Sequence, residues 1–191
     1  MEPIADKKKA IFESTLELVR ENGFHGTPMS LVAKKAGVAA GTIYHYFESK
    51  QDLILDLFHY IKEQIISVIK REDSAEMPYQ KCFFNIWYGL HAYYSENPNV
   101  LMFFEQFVNS PYNAFIQEDY NSSEFRQRLT SFFERGIREG HLKALSPNVL
   151  GTLAHTNIIS TVKMSSSGRL VLEEGELKQI PQILWDGMRS R

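Results

Sequence analysis

Helical spacing of the apolar residues, interrupted by short breaks, is the feature of this sequence that most restricts its fold. In the first segment Ile11, Phe12 and Leu18 fall on one face of a helix, and Asn22-Gly23 ends it. The same arrangement continues along the chain, with breaks of Gly, Pro, Asn and Ser. We find no strand-like alternation of apolar and polar residues, and no repeat. The pattern predicts an all-α protein of about nine helices.

Several breaks also indicate where helices begin. Thr27-Pro28 predicts the start of a second helix, with Thr27 as N-cap and the proline in the first turn. Ser49 is a suitable cap for a fourth helix. Asn97-Pro98 separates two strongly aromatic helices, and Pro181 is expected near the first turn of the last helix or at a kink in it.

Composition excludes several classes of protein. Apolar residues make up 43% of the chain and aromatic residues 13%, which is enough for a packed core. Cys82 is the single cysteine, so the chain has no internal disulfide and no cysteine-based metal site, and a reducing compartment is favoured. The N-terminus lacks the apolar run of a signal peptide, and no segment reaches the roughly 18 apolar residues of a membrane helix. We therefore expect a cytoplasmic protein without membrane contact.

The charge of the chain does not by itself indicate a partner. The formal net charge is −2, so any binding of nucleic acid has to depend on local charge. Lysines are concentrated at the start of the chain, at residues 7–9, and around one motif, at Lys34, Lys35 and Lys50. The first group is either a merely solvated helix start or a source of contacts with a DNA backbone, and the second group surrounds the motif described next.

The most informative segment runs from Ser30 to Leu53, with the sequence SLVAKKAGVAAGTIYHYFESKQDL. A short helix, a tight turn at Gly37 and a second short helix together predict a helix-turn-helix. The residues expected to fill the crossing of the two helices are Val32, Val38, Ile43 and Phe47. The residues left facing outward are Ala40, Gly41, Thr42, Tyr44, His45 and Tyr46. Small residues allow close approach to DNA, and tyrosine and histidine reach phosphates or base edges.

The stretch GVAAGTIYHYFESKQDL resembles the signature of the tetracycline-repressor (TetR) family through the fixed spacing of Gly37, Gly41, Tyr44, Phe47 and Lys50. The resemblance implies a homodimeric transcriptional regulator. Its helix-turn-helix DNA-binding domain would span residues 1–50, and a larger helical ligand-binding and dimerisation domain would span residues 51–191. A repressor of this kind is released from an inverted-repeat operator by a small molecule.

The same resemblance implies roles for individual residues. Thr27 matches a threonine that caps the second helix and meets a phosphate, and Tyr44 and Lys50 match phosphate contacts. The positions that face the major groove correspond to Ser30, Ala40, Gly41, Thr42 and His45. Because alanine carries no hydrogen-bonding group, base reading would depend on Ser30, Thr42 and His45, on thymine methyl groups or on DNA shape.

Two aromatic helices on either side of Asn97-Pro98 suggest a ligand site. A helix that is apolar nearly all round must be central, and buried Tyr, Trp and His side chains need hydrogen-bond partners. A solid aromatic core and a ligand cavity both satisfy this pattern. The candidate ligand-binding residues are Trp87, Tyr88, His91, Phe103, Phe104, Phe107 and His155. We expect a small, mostly apolar or aromatic effector.

The last two helices are the expected dimer interface. Leu153 and Leu184 lie on their apolar stripes, and the small residues Gly151 and Ala154 permit close approach. The resemblance implies that these helices pair with their copies in a four-helix bundle. A stripe that only fills the core of the monomer is the alternative.

No catalytic function is indicated. The sequence contains no Ser-His-Asp order, no Gly-rich phosphate loop and no paired-carboxylate motif. His91 and His155 lack the ligand spacing of a metal site, so we predict no catalytic residue, no metal and no cofactor. The rival hypotheses are a helical enzyme that uses the aromatic cavity and a ligand-independent or partner-controlled regulator with a solid C-terminal core.

Overall fold

A computed structural model of the chain describes residues 4–116, 124–166 and 172–190. These residues are all-α, as the sequence predicts, and a single bridge between Leu142 and Arg189 is their one β-type pairing. The described helices are α1 (Ile4–Asn22), α2 (Met29–Lys35), α3 (Ala40–Tyr46), α4 (Lys50–Glu72), α5 (Tyr79–Glu96), α6 (Pro98–Val108), α7 (Glu124–Arg138), α8 (Pro147–Ser166) and α9 (Glu174–Met188). A 3-10 helix, Pro111–Ile116, follows α6. None of the described helices is long and apolar enough to cross a membrane.

The helix starts confirm one predicted cap and contradict another. The Ser49 hydroxyl oxygen accepts a hydrogen bond from the Asp52 backbone N–H at 3.2 Å, so the predicted cap of α4 is confirmed. The prediction for Thr27 is wrong, because Pro28 occupies the N-cap position of α2. The Thr27 hydroxyl instead donates to the carbonyl oxygen of Gly23 at 2.8 Å, which satisfies an acceptor at the end of α1. Pro181 lies inside α9, not in its first turn.

The described residues form two compact units. The first contains the described parts of residues 1–62 and 98–119, and the second contains those of residues 63–97 and 120–191. This division follows packing within the chain. The functional division at residue 50 that the sequence suggests is a separate matter and stays a prediction.

Aromatic packing dominates the core of the first unit. Phe58 of α4 stacks on Phe107 of α6, with ring centroids 4.2 Å apart, and Phe24 meets Phe103 edge-on at 5.5 Å. Aliphatic residues of α1 and α4 such as Ile11 complete this core. Burial of these side chains supplies the main stabilising free energy of the unit.

The core of the second unit is built where α5 and α8 pack together, with α7 and α9 beside them. Tyr79, at the start of α5, stacks on Phe132 and His141, and its hydroxyl donates to the Phe132 carbonyl oxygen at 3.0 Å. Trp185 of α9 is buried and packs against Phe83. The last helix is therefore held to the unit by an aromatic cluster of the same chain.

Candidate nucleic-acid interface and ligand site

The helix-turn-helix is held by a small apolar core under α2 and α3. Val32 and Ile43 are fully buried, and Phe47 follows α3 with 2% of its side chain exposed. Gly37 adopts φ +68° in the turn, a conformation that favours glycine. The Val38 N–H then donates to the Ala33 carbonyl oxygen at 3.0 Å and closes the turn. The predicted packing of this motif is confirmed, with Val38 half-buried at its edge.

The other face of α3 is exposed to solvent. Ala40, Gly41 and His45 are exposed, and 55% of the Tyr44 side chain is accessible. A methyl group added at Gly41 would meet no atom within 4 Å, so the helix surface at this point is open. Thr42 is partly exposed on the same helix. An exposed helix with a small leading surface and larger hydrogen-bonding groups behind it has the form that a major groove accepts.

The remaining predicted DNA contacts differ in accessibility. Ser30 is exposed on α2, whereas 1% of Thr27 is accessible. The Thr27 hydroxyl is engaged with Gly23, so a phosphate contact would require it to exchange partners. The role of Thr27 at the DNA stays a prediction, and its observed role is to close the loop between α1 and α2.

The lysines around the motif have different partners. The Lys50 ammonium donates to the carbonyl oxygen of Phe24, and burial lowers the pKa of Lys50. Lys35 pairs with Glu17 of α1 at 2.8 Å, and this hydrogen bond raises the pKa of Lys35. Lys34 is exposed and forms no ion pair with the residues that the structure describes. Lys35 therefore fixes α2 on α1, while Lys34 and Lys50 lie at the motif.

At the start of α1 two of the three clustered lysines are engaged with acidic residues. Lys8 bonds to Asp56 at 3.0 Å, and Lys9 lies 3.8 Å from Glu13. Both pairs are solvent-accessible and contribute little to stability. They would compete with any phosphate contact from this cluster.

Helix α6 packs on the end of α1 within the first unit. The Arg20 guanidinium donates to the Asn99 side-chain oxygen at 2.9 Å, and the Gln106 amide donates to the Val19 carbonyl oxygen at 3.0 Å. Phe24, whose carbonyl accepts from Lys50, packs on Phe103 of the same helix. Helix α6 therefore helps to hold the end of α1 and the loop that precedes α2.

The predicted ligand-binding residues fall into two groups. Phe103 and Phe107 are fully buried in the first unit, and Phe104 stacks on Phe58 with centroids 5.6 Å apart. Trp87, Tyr88, His91 and His155 belong to the second unit. That the two groups line one pocket stays a prediction.

Polar side chains of α5 and α8 lie in contact inside the second unit. We call this group the α5–α8 seam; its members are Trp87, His91, Tyr94, His155 and Asn157. The Trp87 indole N–H donates to the Asn157 side-chain oxygen at 2.8 Å. The Tyr94 hydroxyl and His155 Nε2 share a hydrogen bond of 2.7 Å. The His91 imidazole lies nearly parallel to the Trp87 ring, with centroids 5.3 Å apart and planes at 11°.

The seam carries no charge near neutral pH. Burial lowers the pKa of His155 to about 4 and also lowers that of His91. Burial raises the pKa of the Tyr94 hydroxyl far above its usual range. Tryptophan and asparagine do not titrate, so every polar group of the seam is neutral at pH 7.

Sequence reasoning missed two members of the seam. Tyr94 and Asn157 are absent from the candidate ligand-binding residues that the sequence suggests. A signal for Asn157 exists in its neighbours Ala154, Ile158 and Thr161, which are buried on the same stretch of α8. An amide on an apolar helix face needs a partner, and Trp87 is that partner.

Two family models match the chain. Residues 11–57 match the family of bacterial regulatory proteins described as tetR family, and residues 78–189 match the tetracyclin repressor-like C-terminal domain. The first match contains α2 and α3 and reaches α4. The second contains α5 to α9 as the structure describes them, and together they cover most of the chain.

Similar proteins are bacterial regulators. An HTH-type transcriptional regulator of Haemophilus influenzae is 25% identical over 179 residues, which cover 94% of this chain and 90% of that protein. The fatty acid metabolism regulator protein of Bacillus subtilis is 43% identical over 72 residues, 37% of this chain and 36% of that protein.

Solved structures show the same fold. A TetR family transcription regulator of Marinobacter aquaeolei superposes with a TM-score of 0.87 at 24% identity, covering 98% of this chain and 97% of that one. Bacillus subtilis FadR in complex with stearoyl-CoA gives 0.76 at 22% identity, covering 94% and 98%. With the family matches and the exposed helix-turn-helix, these findings establish that the chain belongs to the TetR family and is a DNA-binding transcriptional regulator, not an enzyme.

Proposed function

We propose that the protein is a homodimeric repressor that binds an inverted-repeat operator and leaves it when a small apolar or aromatic effector binds. In this proposal residues 1–50 read DNA and residues 51–191 dimerise and bind the effector. The observation that carries the proposal is the exposed face of α3 on a buried apolar support. Because an operator lies in the bacterial cytoplasm, the protein acts there.

Exposed apolar residues on the last two helices support dimerisation. Val149 and Leu153 of α8 are 47% and 50% exposed, and Ile183 of α9 is 70% exposed. Exposed aliphatic side chains on adjacent helices are typical of a surface that a second protomer covers. Leu150 and Trp185 are buried within the chain, so they belong to the monomer core. Two-fold symmetry of the protein implies an inverted repeat in the DNA.

The proposed release is a shift between two conformations of the dimer. Adjacent major grooves lie about 34–36 Å apart, so an operator-bound dimer has to present its two α3 helices at that spacing. An effector that prefers another spacing weakens DNA binding by its difference in affinity for the two states. The neutral seam of α5 and α8 supports an effector that is not strongly charged where it contacts this region.

A fatty-acyl compound is a second candidate class of effector. The likeness to a solved FadR–stearoyl-CoA complex supports it, since an acyl chain is apolar along most of its length. The rival to both classes is a ligand-independent regulator with a solid C-terminal core. A panel that contains aromatic compounds and acyl-CoA esters, screened for release of bound operator, separates these possibilities.

DNA binding is tested by its salt dependence. Each phosphate that is neutralised contributes about −0.9 to the slope of log K against log salt, and a dimer makes each contact twice. Lys50→Ala should therefore flatten the slope by roughly two and weaken binding to all DNA sequences alike. Lys178→Ala removes the same charge from an exposed site on α9 and should leave the slope unchanged. An equal slope for Lys50→Ala and wild type contradicts the proposed contact.

Dimerisation is tested at the exposed residues of α8. Leu153→Glu should place an unpaired charge in the interface and produce monomers, because a buried unpaired charge costs several kcal/mol. Thr152→Glu introduces the same charge at the neighbouring exposed position and serves as the matched control. Sedimentation at micromolar concentration measures the result. A monomeric wild-type protein, or an operator footprint without an inverted repeat, contradicts the proposal.

A further inference from the structure

Three residues of the α5–α8 seam follow one another on the same face of α5. Trp87, His91 and Tyr94 are spaced by four and three residues, so they occupy successive turns. Trp87 and Tyr94 each bond to a side chain of α8, namely Asn157 and His155. The residue between them does not, and among the described residues Nε2 of His91 is the buried side-chain nitrogen or oxygen atom without a hydrogen-bond partner.

A buried polar atom without a partner is unusual in a native protein. The large majority of buried side-chain polar atoms are paired, because the desolvation of an unpaired one costs free energy. The seam supplies partners at the turns before and after His91, so the orphaned nitrogen is not the result of a loosely packed region. A phenylalanine would keep the stacking on Trp87 without this cost. An imidazole at this position is therefore favoured if Nε2 bonds to a group that the folded chain itself does not supply.

We propose that Nε2 of His91 is the hydrogen-bonding anchor of the effector, and that the effector carries a neutral hydroxyl, carbonyl or amide group on an apolar body. This inference rests on the proposed function, in which residues 51–191 bind an effector.

The surroundings of His91 explain why the recognised group is neutral. The seam residues beside it are uncharged at pH 7, and a carboxylate or ammonium group placed there would be buried without a counter-charge. A neutral imidazole either donates through Nε2–H or accepts through its lone pair, depending on the tautomer. It can thus serve a carbonyl or a hydroxyl group.

Trp87 fixes the anchor and provides an apolar wall. Its indole is held by Asn157, and its ring lies almost parallel to the His91 imidazole, which restricts rotation of the latter. Tyr88 meets the Trp87 ring edge-on at 5.3 Å and is partly exposed. An aromatic or aliphatic body beside the anchored group would contact these rings.

The test uses two probes that differ by one hydroxyl group, 4-n-butylphenol and n-butylbenzene. Binding to the full-length protein is measured by Trp87 fluorescence in a Trp185→Phe background. In this protein the phenol should bind about tenfold more tightly than the hydrocarbon, the effect of one hydrogen bond to an otherwise unpaired group. His91→Phe should reduce the ratio to near one, and His91→Gln should restore part of it. His59→Phe, a histidine on an exposed part of α4, should leave the ratio as in wild type.

A second readout separates an anchor from a structural histidine. Because His91→Phe removes an unpaired buried nitrogen, the midpoint of thermal unfolding without probe should stay the same or rise. A structural histidine would give a lower midpoint. Equal binding of the two probes to wild-type protein overturns the inference. That result is expected if the partner of Nε2 is an ordered water molecule and not the effector. A probe ratio that His91→Phe does not alter, or failure of both probes to bind, also overturns it.

The proposed function fails by a different result. If compounds of the wider panel release operator DNA while the phenol pair shows no discrimination, the effector hypothesis stands and the His91 inference falls. If no compound of the panel releases the DNA, the effector hypothesis falls as well. DNA binding itself is judged separately by the salt dependence of Lys50→Ala.

Discussion

The helix-turn-helix and the α5–α8 seam place polar side chains in opposite environments. In α3 the buried residue Ile43 is apolar, and the hydrogen-bonding residues Tyr44 and His45 are exposed. In the seam Trp87 and Tyr94 are buried with their polar atoms, and each depends on a partner from α8. In the absence of DNA, water forms hydrogen bonds with the exposed polar groups of α3. The buried polar groups of the seam can bond only to the protein or to a ligand.

This difference decides what an unpaired polar atom means in each region. On α3 an exposed hydroxyl without a protein partner is ordinary and indicates only that DNA has access to it. Within the seam the unpaired Nε2 of His91 has a free-energy cost and therefore indicates a missing partner. Variants can be chosen to test the two halves of this comparison, in order of the size of the effect.

The largest effect is expected from neighbouring residues of α3. Ile43 is fully buried, so Ile43→Ala should lower the free energy of unfolding by about 2–5 kcal/mol and abolish DNA binding through loss of the folded motif. Tyr44→Ala should change stability by less than about 0.5 kcal/mol, because more than half of this side chain is exposed. It should still weaken operator binding about tenfold or more.

Urea denaturation and an operator titration of both variants measure these effects. The contrast between buried and exposed residues of α3 is contradicted if Tyr44→Ala unfolds the protein as Ile43→Ala does, since the tyrosine would then belong to the core. The proposed role of Tyr44 at the DNA is contradicted if Tyr44→Ala binds the operator as wild type does.

The second prediction concerns the pH dependence of the seam. Burial depresses the pKa of His155 from 6.5 to about 4 in the folded protein, so the unfolded chain binds a proton over a range in which the folded protein does not. The contribution of His155 is therefore fully present above pH 6.5 and is lost as the pH falls toward 4. Between pH 7 and pH 5 this loss should be about 2 kcal/mol.

The matched control is His155→Gln, which keeps a hydrogen-bonding group near Tyr94 but does not titrate. The difference in unfolding free energy between pH 7 and pH 5 should be smaller in this variant by about the same 2 kcal/mol. An unchanged pH dependence would mean that His155 is solvated in the folded protein and that the seam is not dry.

The sequence predicts the exposed face of α3 better than the α5–α8 seam, and the reason is physical. Glycine, tyrosine and lysine at fixed spacing act within a segment of some twenty residues, so local geometry alone sets which side chains point outward. Ser49 is equally local, and its predicted cap is present. Thr27 is the local prediction that fails, because Pro28 occupies the N-cap position of α2 and the Thr27 hydroxyl donates to the Gly23 carbonyl oxygen.

The seam depends on pairing between residues far apart in the chain. Trp87 and Asn157 are 70 positions apart, and no periodicity within α5 indicates which residue of α8 will bond to Trp87. The same limit explains Phe103 and Phe107. Their aromatic character predicts burial correctly, but only the tertiary packing places them beside Phe58 and Phe24.

A smaller effect is expected at the turn of the helix-turn-helix. Gly37 has φ +68°, and no atom lies within 4 Å of an added methyl group, so Gly37→Ala tests backbone strain without a steric clash. Stability should fall by about 1–2 kcal/mol, and operator affinity should fall only as far as the folded fraction does. Gly175→Ala, also without a contact within 4 Å but without positive φ, is the control. A stabilised Gly37→Ala variant would exclude strain at this turn.

The smallest change in stability, and the sharpest test of the comparison, is expected at Gly41. This glycine lies in α3 with an ordinary helical conformation, and an added methyl group meets no protein atom within 4 Å. Gly41→Ala should therefore raise the free energy of unfolding by at most about 1 kcal/mol through helix propensity. The same methyl group would stand between the helix and the floor of the major groove, so operator affinity should fall while stability rises. Urea denaturation and operator titration of one protein preparation measure both quantities. Opposite signs would show that the exposed face of α3 is shaped for a partner and not for folding, whereas a rise in both would place the DNA against a different surface.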